Sequence, residues 1–110
     1  MAVKLEPGER ILREGGANLH RGWEAVGGRL YLTDRRLAFQ SHAFNVQTGE
    51  MEIPLVNLLS LRLCWTKFLG HIPIFPNSLE VKTSTGEEYR FVVNTRQAWA
   101  DAIQRQLDTA

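Results

Sequence analysis

A single cysteine, Cys64, stands in the 110-residue chain, so no intramolecular disulfide holds the fold together. Charge of one sign is also lacking. Thirteen Lys and Arg face twelve Asp and Glu, a formal net charge of +1 that gives no overall pull toward nucleic acid or anionic membrane. Any such pull has to come from a local patch. The N-terminus, Met1 to Arg13, has no apolar run that would serve as a signal-peptide core. Nor does any stretch approach the roughly 20 apolar residues that a membrane-spanning helix needs. The expectation is a soluble, cytoplasmic protein.

The constellations that carry chemistry are missing too. His20, His42 and His71 are scattered, with no Asp, Glu or Cys at metal-ligand spacing. No Gly-rich phosphate loop precedes a helix. Glu87 and Glu88 are adjacent, and neighbours on a strand point to opposite faces, so they cannot cooperate. Cys64, beside Leu63 and Trp65 on an alternating strand, reads as a small structural residue rather than a nucleophile. A protein that is not an enzyme, with no catalytic residue, metal or cofactor, is expected.

What the chain does have is an ordinary globular composition, 44% apolar and 23% charged, with room for one domain over residues 1–110. Alternation of apolar and polar residues dominates it, the mark of half-buried strands. Leu30 and Leu32 alternate with Arg29, Tyr31 and Thr33. Leu37 and Phe39 do so with Arg36, Ala38 and Gln40, and Leu59, Leu61 and Leu63 with Ser60, Arg62 and Cys64. Ile53 and Leu55 stand beside Glu52, with Pro54 marking an edge or a strand end. Leu79 and Val81, then Tyr89, Phe91 and Val93, complete the set. A first strand is expected around Arg10 to Glu14.

Turn chemistry separates these runs: Thr33-Asp34-Arg35-Arg36, Gln47-Thr48-Gly49 and Ser84-Thr85-Gly86-Glu87. The last predicts a hairpin from about Ser78 to Val93. Gly15-Gly16 is expected to mark a turn, and Gly27-Gly28 a strand start or bulge. From Asn94 the period changes. Trp99, Ile103 and Leu107 recur every fourth residue, opposite Arg96, Asp101 and Arg105. Asn94 or Thr95 would cap this helix, about 95–108, with Gln97 completing a capping box. At about 20 Å long it would close one open end of a small barrel, docked by Trp99. About seven strands over 9–93 and one amphipathic helix leave a small barrel or sandwich with a helical lid.

In order and spacing these pieces resemble a known family. Gly28-Arg29-Leu30-Tyr31-Leu32-Thr33, then Arg36-Leu37-Ala38-Phe39-Gln40-Ser41, is similar to the core pattern of GRAM domains. Ile53-Pro54-Leu55, Leu79 to Thr83, Gly86, Tyr89-Arg90-Phe91 and Trp99 follow, and Pro7-Gly8-Glu9-Arg10-Ile11-Leu12 resembles the usual opening. The resemblance covers nearly the whole chain, so a stand-alone domain is expected. It implies a mostly β, pleckstrin-homology-like fold, a seven-stranded antiparallel bent barrel capped by the C-terminal helix. It also implies a non-catalytic role in membrane association through anionic lipid, or in protein contact.

Two features are candidates for that role. The first is a basic group, His20, Arg21, Arg29, Arg35 and Arg36, whose guanidinium donors would hold an anionic headgroup if they converged. Glu24 and Asp34 lie within the same stretch, and the alternative is a merely solvated face. Many pleckstrin-homology domains hold phosphoinositides with a Lys-rich loop between their first two strands. The segment expected to correspond, Gly15 to Leu19, has no Lys or Arg.

The second candidate is Trp65 to Pro76, a long apolar connection where a short polar one is the rule. Trp65, Phe68, Leu69, Ile72 and Phe75 would insert into a membrane or meet a partner, with Lys67 near headgroups. Alternatively the segment folds back over the core or pairs across a homodimer. The leading expectation is therefore peripheral binding to anionic lipid at the inner membrane face through Arg21, Arg29, Arg35, Arg36 and Lys67. The other is a protein partner or homodimer on the 65–76 segment. A net charge of +1 and the lack of a Lys-rich stripe make nucleic acid an unexpected partner.

Overall fold

The computed structural model describes the backbone of residues 4–21, 24–41, 50–68 and 72–109, and the side chains of 4–20, 25–41, 51–62 and 78–109. Each alternating run becomes a strand. In chain order these are β1 (Ile11–Arg21), β2 (Glu24–Thr33), β3 (Arg36–Ser41), β4 (Glu50–Pro54), a one-turn 3₁₀ helix (Leu55–Asn57), β5 (Leu58–Phe68), β6 (Ile72–Thr83), β7 (Glu88–Val93) and the helix α1 (Arg96–Asp108). All pairings are antiparallel, in the order β4-β3-β2-β1-β7-β6-β5.

The pivot is β1, which pairs with β2 along its length and with β7 over Ala17–His20. A flat sheet of seven strands would hold its edges about 29 Å apart. Here Ile53 on β4 and Leu58 on β5 share one buried cluster with Leu30, Phe91 and Ile103, so the sheet is folded over on itself. The rings of Phe39 and Phe91, from the two halves, lie 6.0 Å apart between centroids. The sheet is curled but not closed, and β4 and β5 remain its edges. In that respect the expected barrel stays open.

Alternation placed most of the core correctly. Leu30, Leu32, Leu37, Phe39, Leu79, Val81 and Phe91 are all buried. The Ser78–Val93 hairpin forms, with Gly86 at φ +90° turning it. Trp99 is buried and docks α1, with the Arg13 guanidinium 5.2 Å above its ring, a contact that adds about 0.5–1 kcal/mol.

Five local expectations are corrected. Gly15-Gly16 is not a turn but the middle of β1, where Gly15 faces Leu30 and Gly16 faces Arg29. Gly27-Gly28 likewise lies inside β2 with no bulge. Consequently the β1–β2 connection falls between Arg21 and Glu24, not at Gly15 to Leu19. No capping box forms: Thr95 takes a left-handed backbone, φ 54°, and its Oγ1 donates to the Asn94 carbonyl while accepting from Arg13 Nη2. Gln97 bonds Asp101 instead, at 2.9 Å.

The fourth correction concerns Leu59. The β5–β6 register slips between Leu58 and Ser60, so Leu58 enters the core and Leu59 is left 63% exposed. A bulge shifts the inward phase by one residue. Lastly, 65–76 is not a connection but the far end of a hairpin, with Thr66 opposite Phe75, Lys67 opposite Pro73 and Phe68 opposite Ile72. Both prolines are tolerated there because β6 pairs with β7 only from Ser78 to Lys82, leaving 72–77 one ladder neighbour, β5. The turn expected at Gln47-Thr48-Gly49 lies outside the described residues.

Candidate functional site

The β2–β3 turn brings two of the five arginine and lysine candidates together. Thr33 Oγ1 accepts from the backbone N–H of Arg35 at 3.1 Å and of Arg36 at 3.0 Å, which fixes the reversal. The segment before β1, Lys4 to Glu9, lies against this turn. Glu9 is buried, and Arg36 donates to both its oxygens, from Nε at 2.8 Å and from Nη2 at 2.9 Å. Thr33 Oγ1 donates to the same carboxylate at 2.6 Å. Arg36 also donates to Glu52 and to the Lys4 carbonyl, and its side chain is only 14% exposed. These donors hold the Glu9 carboxyl down at about 2, and the accepting carboxylates, Glu9 first and then Glu52, push the Arg36 guanidinium upward.

Arg36 is therefore committed to the fold, and its donors are not offered to a headgroup. Arg29 shares its charge with Glu14 at 3.0 Å, an exposed pair. Arg35 is exposed and donates to the Pro7 carbonyl at 3.0 Å. Arg21 ends β1 at the opposite end of the β1–β2 hairpin, about 30 Å along the strand from the Arg35 turn. His20 sits opposite Arg90, and burial first, then that charge, pushes it below its usual range, so it is neutral at pH 7. The basic group does not converge on one point.

The apolar candidate behaves differently. β5 and β6 run past the end of β7 as a two-stranded ribbon carrying Trp65, Lys67, Phe68, Ile72 and Phe75 at its strand positions. Leu69 lies outside the described residues, as do the side chains of those five and of Arg21. The registers of β1 with β2 and β7, and of β6 with β7, place this ribbon at a definite end of the sheet. It leaves opposite the β1–β2 and β6–β7 turns, at the end that carries the β2–β3 turn and Arg35.

One surface escaped the sequence reading. Val56, 85% exposed, and Leu59, 63% exposed, meet solvent at the corner between β4 and β5. The signal was present as a doubled apolar pair, Leu58-Leu59, ahead of a strict alternation, which requires one extra residue in the strand. Glu9 was missed as well, since nothing near it in sequence marks the partner 27 residues away. Among the described residues no three His, Cys, Asp or Glu lie together as a metal site would need. No helix there is long and apolar enough to cross a membrane. A cleft of about 310 Å³ beside the middle of β1, where β2 and β7 flank it, is lined by Gly16, Asn18, Gly27, Val92 and Asn94 among others, and by no titratable side chain.

Comparison with known proteins agrees with this geometry. The GRAM domain family model matches residues 1–109. The chain belongs to the GRAM domain family. Three solved structures show the fold around this GRAM domain. The C-terminal domain of an unknown protein from Leishmania infantum superposes with a TM-score of 0.77, at 20% identity over 92% of this chain and 86% of that one. The Vps36 N-terminal PH domain gives 0.69, at 19% identity over 96% and 84%. The Slm1 PH domain, solved in complex with phosphoserine, gives 0.64, at 12% identity over 89% and 96%. At these identities the likeness establishes a pleckstrin-homology-like fold for this GRAM domain and nothing finer. No curated protein sequence matches the chain.

Proposed function

We propose that this GRAM domain is a non-catalytic adaptor that associates peripherally with anionic membrane, seating the tip of the β5–β6 ribbon among the headgroups. The observation that carries the reading is the ribbon, which outruns β7 at the same end of the sheet as the exposed Arg35. A two-stranded hairpin alone in water is marginal, so a ribbon rich in Trp, Phe and Ile at its strand positions is stabilised by what it contacts. In this arrangement Trp65, Phe68, Leu69, Ile72 and Phe75 supply the apolar contact, and Lys67 and Arg35 the charge. Arg36 is left out because its donors are spent, and Arg21 because it lies at the far end. Arg29, already paired with Glu14, contributes less.

The test is co-sedimentation with phosphatidylcholine vesicles, with and without phosphatidylserine, at low and high salt. Binding confined to anionic vesicles and weakened by salt is expected, with a loss of tenfold or more in Phe68→Asp, Leu69→Asp and a few-fold loss in Arg35→Glu. Failure to bind either vesicle sinks the reading. A second reading, a protein contact or homodimer on the same ribbon, is favoured by the carboxylates that already neutralise Arg29 and Arg36. It predicts association that salt hardly affects, because apolar burial is not screened.

A further inference from the structure

The edge strand β5 holds a surface that the ribbon reading does not use. β5 is eleven residues long and forms one edge of the sheet. Among the described residues its outer row of backbone N–H and C=O groups has no strand beside it, and nothing bonds to that rim between Leu59 and Arg62. Proteins usually blunt such an edge. The other edge shows how: β4 has five residues, ends in Pro54, and its Glu52 is tied to Arg36. On β5 the bulge instead turns Leu59 outward, next to Val56 on the 3₁₀ turn, and leaves both in water. An exposed Leu and Val beside an open strand edge is the opposite of protection.

The chemistry of the rim selects its occupant. A bilayer is excluded, because unpaired backbone groups gain no partner in hydrocarbon and each would cost several kcal/mol. A second copy docked antiparallel over the Leu59–Arg62 rim would set Arg62 opposite the other copy's Leu59 and offer it no carboxylate. Arg62 is 70% exposed, and Lys82 is exposed on the neighbouring strand opposite Ser60. Two acidic groups lie beside them: Glu80, held between Arg62 at 2.9 Å and Arg90 at 3.2 Å, and Glu88, opposite Lys82 on β7, so that Arg62, Lys82 and Arg90 outnumber them. The rim is therefore cationic as well as apolar.

We infer that the Leu59–Arg62 rim of β5 is a docking edge for an extended polypeptide segment of mixed apolar and acidic character, added to the sheet as an eighth strand. Backbone bonding to β5 supplies the affinity, as in other cases of strand addition. Val56 and Leu59 take a large apolar side chain of the incoming segment, and Arg62 with Lys82 takes a carboxylate. This inference does not depend on membrane binding and can hold whether or not vesicles are bound.

The experiment is selection of a random heptapeptide display library on the whole chain, followed by titration of the enriched peptides in synthetic form against ¹⁵N-labelled protein. Enriched peptides should alternate apolar with acidic residues, shift the amide signals of Leu58 to Leu63, and lose binding when alternate peptide nitrogens are methylated. Leu59→Ser with Val56→Ser should weaken them at least tenfold. Arg62→Glu should do the same, and it should favour variants of those peptides with Lys in place of the acid. All three positions are exposed, so these variants keep the fold. Absence of enrichment overturns the inference, as does binding unaffected by the variants or by methylation. A dimer in sedimentation velocity abolished by Leu59→Ser overturns it in favour of a second copy, and vesicle binding abolished by Leu59→Ser does so in favour of lipid.

Discussion

The two edges of the open sheet obey the same ladder chemistry and end differently. The β4 edge is short and held by ion pairs. Pro54 closes it, Arg36 reaches Glu52, and Arg36 is itself held by Glu9 from the segment before β1. At the β5 edge the strand is twice as long, its register slips near both ends, and Val56 and Leu59 stand in water. An edge that is short, capped and charge-paired offers a partner little room to add a strand. An edge kept long and apolar retains a row of unpaired donors and acceptors, at some risk of aggregation. The contacts proposed above fall mostly on the β5–β6 side, and the ion pairs that hold the fold fall on the β2–β4 side.

If that division is right, the largest losses of stability come from the β2–β4 side. Gly28 on β2 is pressed against β3: a Cβ there would lie 2.3 Å from the Gln40 carbonyl oxygen and 2.6 Å from Phe39 Cζ. Backbone cannot yield as a flexible side chain can, so Gly28→Ala should cost about 3 kcal/mol or more. Gly16 on β1 is the control, with nothing within 4 Å of the same added atom, so Gly16→Ala should stay within about 0.5 kcal/mol. Urea denaturation of the two variants checks this, and equal losses would remove the claim that β2 and β3 are specially crowded.

Next in size is the Glu9 latch. Its carboxyl is held at about 2 in the folded protein against 4.5 ordinarily, first by the Arg36 hydrogen bonds and also by Thr33, against the opposing cost of burial. A depressed carboxyl stabilises the fold fully above its unfolded value and loses that contribution as pH falls through the folded one. The Glu9 contribution is therefore complete above about pH 5 and fades toward pH 2. Glu9→Gln should cost on the order of 2 kcal/mol at pH 7, since Arg36 keeps Glu52 as a partner but loses its buried one. Stability of wild type and variant should converge between pH 4.5 and pH 2. A gap that stays constant across that window would show that the carboxylate charge is not what holds the segment.

Much of this architecture was legible in the chain. Strands whose inward residues repeat without interruption, such as Leu30-Leu32, Leu37-Phe39 and Leu79-Val81, were placed by alternation because one buried face forces a period of two. Trp99 and Ile103 placed α1 in the same way. What failed were features decided by pairings that the local sequence does not show. Gly15-Gly16 reads locally as a turn, but inside β1 it is paired with Leu30 and Arg29 and has no freedom to reverse. Trp65 to Pro76 reads as a long apolar connection, yet it is a paired ribbon whose single ladder neighbour leaves room for Pro73 and Pro76, which cannot donate. Arg36 was misjudged for a related reason. Arg36 looked available because the carboxylate that occupies it, Glu9, is 27 residues away in sequence.

The smallest expected effect on stability discriminates best between the two edges. Leu59→Ser removes a large apolar side chain, and in a core position such a change costs about 2–5 kcal/mol. Leu59 is 63% exposed and sits on a bulge, so little apolar surface leaves water when the protein folds and little is lost when it is replaced. A change within about 0.5 kcal/mol is expected by thermal denaturation. Leu58→Ser, one residue away and buried at 6% exposure, should cost at least about 2 kcal/mol. If both variants lose stability equally, the register slip is not where the sheet puts it and Leu59 belongs to the core. If only Leu58→Ser does, then Leu59 is a large apolar residue that the fold does not need. Combined with a tenfold loss of peptide binding in the same variant, that outcome would leave contact with a partner as the reason a leucine stands at this edge.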